Sequence, residues 1–155
     1  MKNRTLVEQI SERELVLTRT FDGPAHLVFE AWTTRDLFVR WWVPKAFAPL
    51  LVSCDLDVRV GGTYHLVFRH GDAEPMAFHG RYTEVVPGSR LVWTNEESAH
   101  GTQVTTVTFA EKDGKTLVVV HERYPSKEAF DSGRGAEDGM VEAFDQLDDL
   151  LAAAA

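Results

Sequence analysis

The sequence predicts an α+β fold: a curved, seven-stranded antiparallel sheet around one long C-terminal helix, with two short helices closing one end. Three observations lead there. Period-two alternation persists from about residue 48 to residue 124, broken only by short Gly-, Pro-, Asp- and Ser-containing punctuation. Connections that short favour antiparallel neighbours in a meander. The segment from Met140 carries the one long apolar stripe at helical spacing, and a sheet with a single apolar face needs such a cover.

Taken in chain order, "ELVLTRTF" (14–21) alternates, with Leu15, Leu17 and Arg19 on one face and Val16, Thr18 and Thr20 on the other. Gly23-Pro24 ends that strand, and Pro24 suits the first turn of a helix. Leu27, Val28, Ala31 and Trp32 then fall on one helical stripe. Thr34 and Asp36 offer capping oxygens for a second short helix, "DLFVRWW", which Pro44 stops. Strands are expected near 48–58, 62–69, 76–86, 90–96, 103–110 and 115–124, separated by Gly61-Gly62, "HGDAEP", "VPGS", "ESAHG" and "EKDGK". The "HGDAEP" segment is long for a tight hairpin. Ser126 caps a first helical turn, the Gly133 to Gly139 region weakens the helix, and from Met140 the stripe Met140, Phe144, Leu147, Leu151 is set against Glu142, Asp145 and Asp149. No repeat or linker appears, so residues 1–155 read as one domain with its core at about 14–151.

The formal net charge is −8. Much of it lies between Ser126 and Leu151, where eight carboxylates face only Lys127 and Arg134; the plain reading is a solvated acidic helix face. Nucleic acid is excluded as a partner on this balance, since binding it requires Lys and Arg to neutralise phosphates. No apolar run approaches the roughly 20 residues of a membrane span. The polar start "MKNRTLVEQISERE" has no signal-peptide character, and a cytoplasmic location is expected. Cys54 stands alone, which rules out an intramolecular disulfide and a cysteine-based zinc site.

Several segments resemble a known superfamily: "LFVRWWVPKAF", "SCDLDVRVGGTYHLVFRHGD", "FHGRYTEVVPGSRLVWT", "VTTVTF" and "GMVEAFDQLDDLL". They are similar to START-like (SRPBCC) proteins, within the branch named after the ATPase activator of heat-shock protein 90, over residues 14–151. The most specific pieces are Trp41-Trp42-x-Pro44 and Asp57-x-Arg59-x-Gly61-Gly62. The resemblance implies the helix-grip fold, with Cys54, Leu56, Tyr64, Leu66, Phe68, Phe78, Gly80, Tyr82, Leu91, Trp93, Val107, Phe109, Val118 and Val120 facing the long helix. Members bind lipids, hormones and polyketides, cyclise aromatics or assist a chaperone.

The candidate chemistry is thin. Asp57 and Arg59 share a strand face and read as an outer charge pair at the Gly61-Gly62 bend. His65, His79 and His121 lie on different strands without ligand spacing, so no metal and no cofactor are expected. No G-x-S-x-G elbow supports serine chemistry, and Cys54 reads as inert core. Glu122 and Tyr124 share the inward parity of Val118 and Val120. A carboxylate there is costly unless paired, hydrated or protonated, so Glu122 is either a pocket acid beside Tyr64 or Tyr82, a group at a wet mouth, or the partner of Arg81 or Arg123.

Sheet curvature is expected to leave an apolar cavity between sheet and C-terminal helix, walled by Tyr64, Phe68, Phe78, Tyr82, Trp93, Phe109, Val120, Glu122, Met140 and Phe144. Neighbouring tryptophans on a helix diverge by about 100°, which puts Trp41 or Trp42 at the cavity mouth; the alternatives are solid core for both or a docking surface. The expected function is binding of a hydrophobic small molecule (lipid, aromatic or polyketide-like) by a monomer or weak homodimer. A cyclase- or hydrolase-type enzyme in the same cavity, using Tyr64, Tyr82 and Glu122, is the second reading. A chaperone accessory module is the third: the relative that gave the branch its name carries an additional domain with no counterpart in this sequence.

Overall fold

The computed structural model describes residues 4–133 and 136–154. Its order is β1 (Leu6–Ser11), β2 (Glu14–Phe21), α1 (Ala25–Thr33), α2 (Arg35–Trp41), a 3-10 turn (Ala48–Leu50), β3 (Leu51–Leu56), β4 (Thr63–Phe68), β5 (Met76–Val86), β6 (Arg90–Asn95), β7 (Gln103–Lys112), β8 (Lys115–Arg123), α3 (Lys127–Ser132) and α4 (Ala136–Ala154). One antiparallel sheet has the order β1-β2-β8-β7-β6-β5-β4-β3. The sheet is therefore eight-stranded, which corrects the expected seven. The additional strand, β1, pairs with β2 along its free edge, Leu6 opposite Thr18 and Gln9 opposite Leu15.

Strand parity places the core. Leu15, Leu17, Leu91, Val107, Val118 and Val120 are buried on the concave face, while their neighbours along each strand face outward. The α4 stripe of Ala143, Phe144, Leu147 and Leu151 closes on this face, with the Phe144 ring edge-on to Phe21 at 5.4 Å. Two smaller expectations are corrected. Thr34 precedes α2 without a side-chain cap bond, and α4 starts at Ala136 and runs through Gly139, because packing of the apolar stripe outweighs the roughly 1 kcal/mol that glycine costs in a helix. Ser126 does cap α3, accepting from the Ala129 N–H at 3.1 Å.

Two close approaches bend the sheet. A Cβ on Gly80 would lie 1.7 Å from the Thr94 carbonyl oxygen, and one on Gly62 2.0 Å from that of Asp57. Only glycine fits either place. At Gly62 the Asp57–Arg59 pair lies outside, its carboxylate and guanidinium 3.0 Å apart and both largely exposed. Beyond Gly80 the β5–β6 register slips between Tyr82 and Glu84.

Candidate functional site

The segment that holds the tryptophans is fixed by α4. Gln146 donates from Nε2 to the backbone oxygens of Trp41 (2.8 Å) and Val43 (2.9 Å), and the Lys45 N–H donates to Glu142 (3.1 Å) and Gln146 (3.2 Å). Pro44 cannot continue the helix, so the chain leaves α2 here. The indoles then diverge: Trp41 is fully buried, its Nε1 donating to the Ala31 carbonyl at 2.8 Å, whereas Trp42 stacks on Phe38 at 4.9 Å between ring centroids. Trp32 lies among them, 4.7 Å from Trp41, 5.7 Å from Trp42 and 5.8 Å from Trp93.

Trp42 faces a cavity of about 710 Å³ lined by Trp32, Phe38, Phe47, Leu50, Leu56, Tyr64, Leu66, Phe68, Met76, Phe78, Tyr82, Trp93 and Asn95, with Arg69, His70 and Glu74 on the long β4–β5 connection. It lies between the β3–β6 part of the sheet and the α2-to-β3 segment. No residue of α4 lines it. For this large cavity the expected position between sheet and long helix is corrected: α4 packs against the β2 side, through Arg19 and Phe21, and only a smaller cavity lies between it and the sheet.

A smaller cavity of about 260 Å³ shares Trp42, Pro44, Trp93 and Asn95 as a common wall with the first. Its other faces include Leu15, Leu17, Gln103, Thr105, Glu122, Tyr124, Glu137, Gly139, Met140 and Ala143.

The expected residues therefore separate into three groups. Trp42, Tyr64, Phe68, Phe78, Tyr82 and Trp93 line the large cavity; Glu122 and Met140, again with Trp42 and Trp93, line the small one. Trp41, Phe109, Val120 and Phe144 line neither and are buried core. Trp32, Phe38, Asn95, Gln103 and Thr105 escaped the sequence reading. The last three share the inward parity of Trp93, Val107 and Glu122, and register joins them: Asn95 sits opposite Gln103, and Thr105 opposite both Trp93 and Glu122.

The result is a polar seam in an apolar interior. The Tyr64 hydroxyl is within 2.7 Å of Asn95 Oδ1 and 2.8 Å of the Thr94 carbonyl oxygen. Asn95 Nδ2 donates to Thr105 Oγ1 at 2.9 Å, and Thr105 Oγ1 donates to Glu122 Oε2 at 2.8 Å. Gln103 Nε2 donates to the same oxygen. Burial pushes the Glu122 carboxyl up to about 7, against the lowering effect of Thr105 and Gln103. Burial also raises Tyr64 and Tyr82 well above the usual phenol range, so both are neutral donors. Neither Arg81 nor Arg123 is Glu122's partner: Arg81 pairs with Glu96 outside the sheet, and Arg123 is exposed on the opposite face of β8. His65 and His79 lie side by side on the outer face, their ring centroids 6.2 Å apart and the rings tilted by 46°, and His121 contacts Glu14 at 2.8 Å.

Known proteins match this arrangement. A protein from Rhodobacter sphaeroides is 22% identical with a TM-score of 0.87, over 97% of this chain and 99% of its own. One from Mycobacterium smegmatis is 22% identical with a TM-score of 0.82, over 95% and 96%. One from Nitrosomonas europaea is 21% identical with a TM-score of 0.81, over 94% and 98%. At such identity the likeness speaks for the fold. No curated protein matches the chain in sequence. Among the described residues, no helix is long and apolar enough to cross a membrane. Residues 22–152 match the family described as Activator of Hsp90 ATPase homolog 1-like protein, and with most of its length so matched, the chain belongs to that family.

Proposed function

We propose that the protein binds a hydrophobic small molecule, such as a flat aromatic or a lipid-like compound, in the large cavity. The observation that carries this reading is the cavity itself. At about 710 Å³ it falls within the roughly 300–1,000 Å³ of small-molecule sites, and like them it combines aromatic and aliphatic walls with few polar groups. Asn95 and the Tyr64 hydroxyl supply orientation at the inner end, and Arg69, His70 and Glu74 rim the β4–β5 side. A catalytic role for Tyr64, Tyr82 and Glu122 acting together has less support, because the two tyrosines and the carboxylate line different cavities.

The test is a titration of flat neutral aromatics and medium-chain fatty acids, followed by indole fluorescence and thermal melting. A ligand that binds the native state alone raises the melting temperature with its excess over Kd, and Trp42 or Trp93 emission should shift in step. Trp42→Phe should weaken the spectral response while binding persists in the melt; Trp41→Phe should leave the response intact. Absence of both signals across the panel, with no small molecule retained on native mass spectrometry, would reject the reading.

A further inference from the structure

The smaller cavity has a different chemistry from the larger one. Its single deeply buried charged group is Glu122, 8% exposed. Both of that carboxylate's hydrogen bonds, from Gln103 and Thr105, arrive at Oε2; among the described residues Oε1 accepts none. Among the described residues, neither Lys nor Arg lines the cavity. The remaining wall includes the Trp42, Trp93 and Tyr124 rings, Leu15 and Leu17 of β2, and Met140 on α4.

A buried carboxylate without a counter-ion must keep its proton or meet a cation. Aromatic faces attract ammonium groups through the ring quadrupole, and an anion would be repelled by the ionised Glu122 carboxylate. We propose that this cavity binds a small organic amine in its protonated form, the ammonium held on Glu122 Oε1 and the apolar body against Trp42, Trp93 and Met140. The volume, about 260 Å³, lies just under the range of drug-sized sites, about 300–1,000 Å³, and so selects a compact amine. This site is separate from the ligand reading above and stands whether or not the large cavity is occupied.

The acid's titration supports the assignment. With its carboxyl raised to about 7, Glu122 is largely ionised above neutrality and holds a proton below it. Among the described residues, the other titratable groups facing the cavity are Tyr124, just after β8, pushed up to about 12 by burial and therefore neutral, and Glu137 on α4. The facing residues of β2, β6, β7 and the α2–β3 segment are uncharged.

The experiment is isothermal titration of the purified chain near pH 8 with three probes of matched shape: 2-phenylethylamine, 2-phenylethanol and phenylacetate. A charge-assisted hydrogen bond makes the amine bind about tenfold or more tightly than the alcohol, and the carboxylate should bind weakest. Below pH 7 the amine must displace the Glu122 proton, so its affinity should drop about tenfold per pH unit. Glu122→Gln should erase the preference for amine over alcohol. Gly139 lines the cavity and a Cβ there meets nothing within 4 Å, so Gly139→Leu adds bulk at the wall without replacing the acid; it should weaken amine binding and keeps the test valid if the glutamine variant does not fold. Naphthalene, titrated in parallel, reports on the large cavity: unchanged naphthalene binding with no amine binding would sink this proposal alone. Equal affinity for amine and carboxylate, or a preference that survives Glu122→Gln, would also overturn it.

Discussion

At Glu122 the energetics of one side chain become measurable. Its carboxyl, raised to about 7 by burial, binds its proton more tightly in the native state than in the unfolded chain, where a glutamate titrates at about 4.3. Between these values the unfolded chain releases a proton that the native protein keeps, so this group's contribution to stability is full below about pH 4 and is lost as pH rises through 7. The loss is on the order of 3 kcal/mol. Glu122→Gln should therefore be more stable than the parent near pH 8, with the difference shrinking toward pH 5. Urea denaturation of both proteins across that range checks it. Other carboxylates, Glu14 and Glu96, are held below their usual range by hydrogen bonds and slope the opposite way, so the informative quantity is the difference between the two proteins. A difference that does not vary with pH would mean that Glu122 is not desolvated.

At the scale of elements, α4 is placed by a buried ion pair as much as by its apolar stripe. Arg19 lies on the concave face of β2 and is 1% exposed. Its Nη1 donates to Asp145 at 2.7 Å and to Thr5 at 3.0 Å, and its Nη2 donates to Asp148. Desolvation raises the Asp148 carboxyl even with Arg19 beside it, in keeping with its side chain being only 13% exposed. Removing one partner of such a pair costs about 3–5 kcal/mol, and truncating a buried leucine costs about 2–5 kcal/mol. Arg19→Ala and Leu147→Ala are thus expected to destabilise comparably. Asp145→Ala should cost far less, about 1 kcal/mol or under, because that carboxylate is half in solvent. Denaturation midpoints rank the three. If Asp145→Ala matches the others, the clamp depends on Asp145 rather than Asp148.

Over the whole molecule, the two halves of the sheet differ in what lies beneath them. Under β2, β8 and β7 the core is filled around Val107, Val118 and Val120, all at 0% exposure, apart from the smaller cavity at the Glu122 end; under β3, β4 and β5 lies the large cavity. Amide exchange follows the stability of each opening unit. The amides of Val118–Val120 should exchange last, those of β3–β5 sooner, and those of β1, whose Leu6 and Ile10 are more than half exposed, first. A ligand in the large cavity should slow β3–β5 selectively. Exchange mass spectrometry with and without ligand tests both, and uniform protection across the sheet would contradict the division into a solid half and a hollow half.

The strands, their inward parity and the helical stripe were legible in the sequence because they are local: a period of 2 or 3.6 survives in any window of a few residues. Parity even marked Glu122 as an inward acid. β1 was not legible. Its segment, "LVEQIS", lacks a period-two apolar pattern, with Leu6 and Ile10 exposed and only Val7 resting against the core, and it is a strand because β2 has an unpaired edge to offer. The same limit hid the candidate sites. Asn95, Gln103 and Thr105 look like ordinary strand residues until the β6–β7–β8 register sets them against Glu122. That the cavity opens away from α4 follows from contacts more than a hundred residues apart, Arg19 to Asp145 and Asp148 and the Trp41 and Val43 carbonyls to Gln146. Periodicity determined which faces turn inward; where the interior stays empty was decided by long-range ion pairs and hydrogen bonds, which leave no periodic trace in the chain.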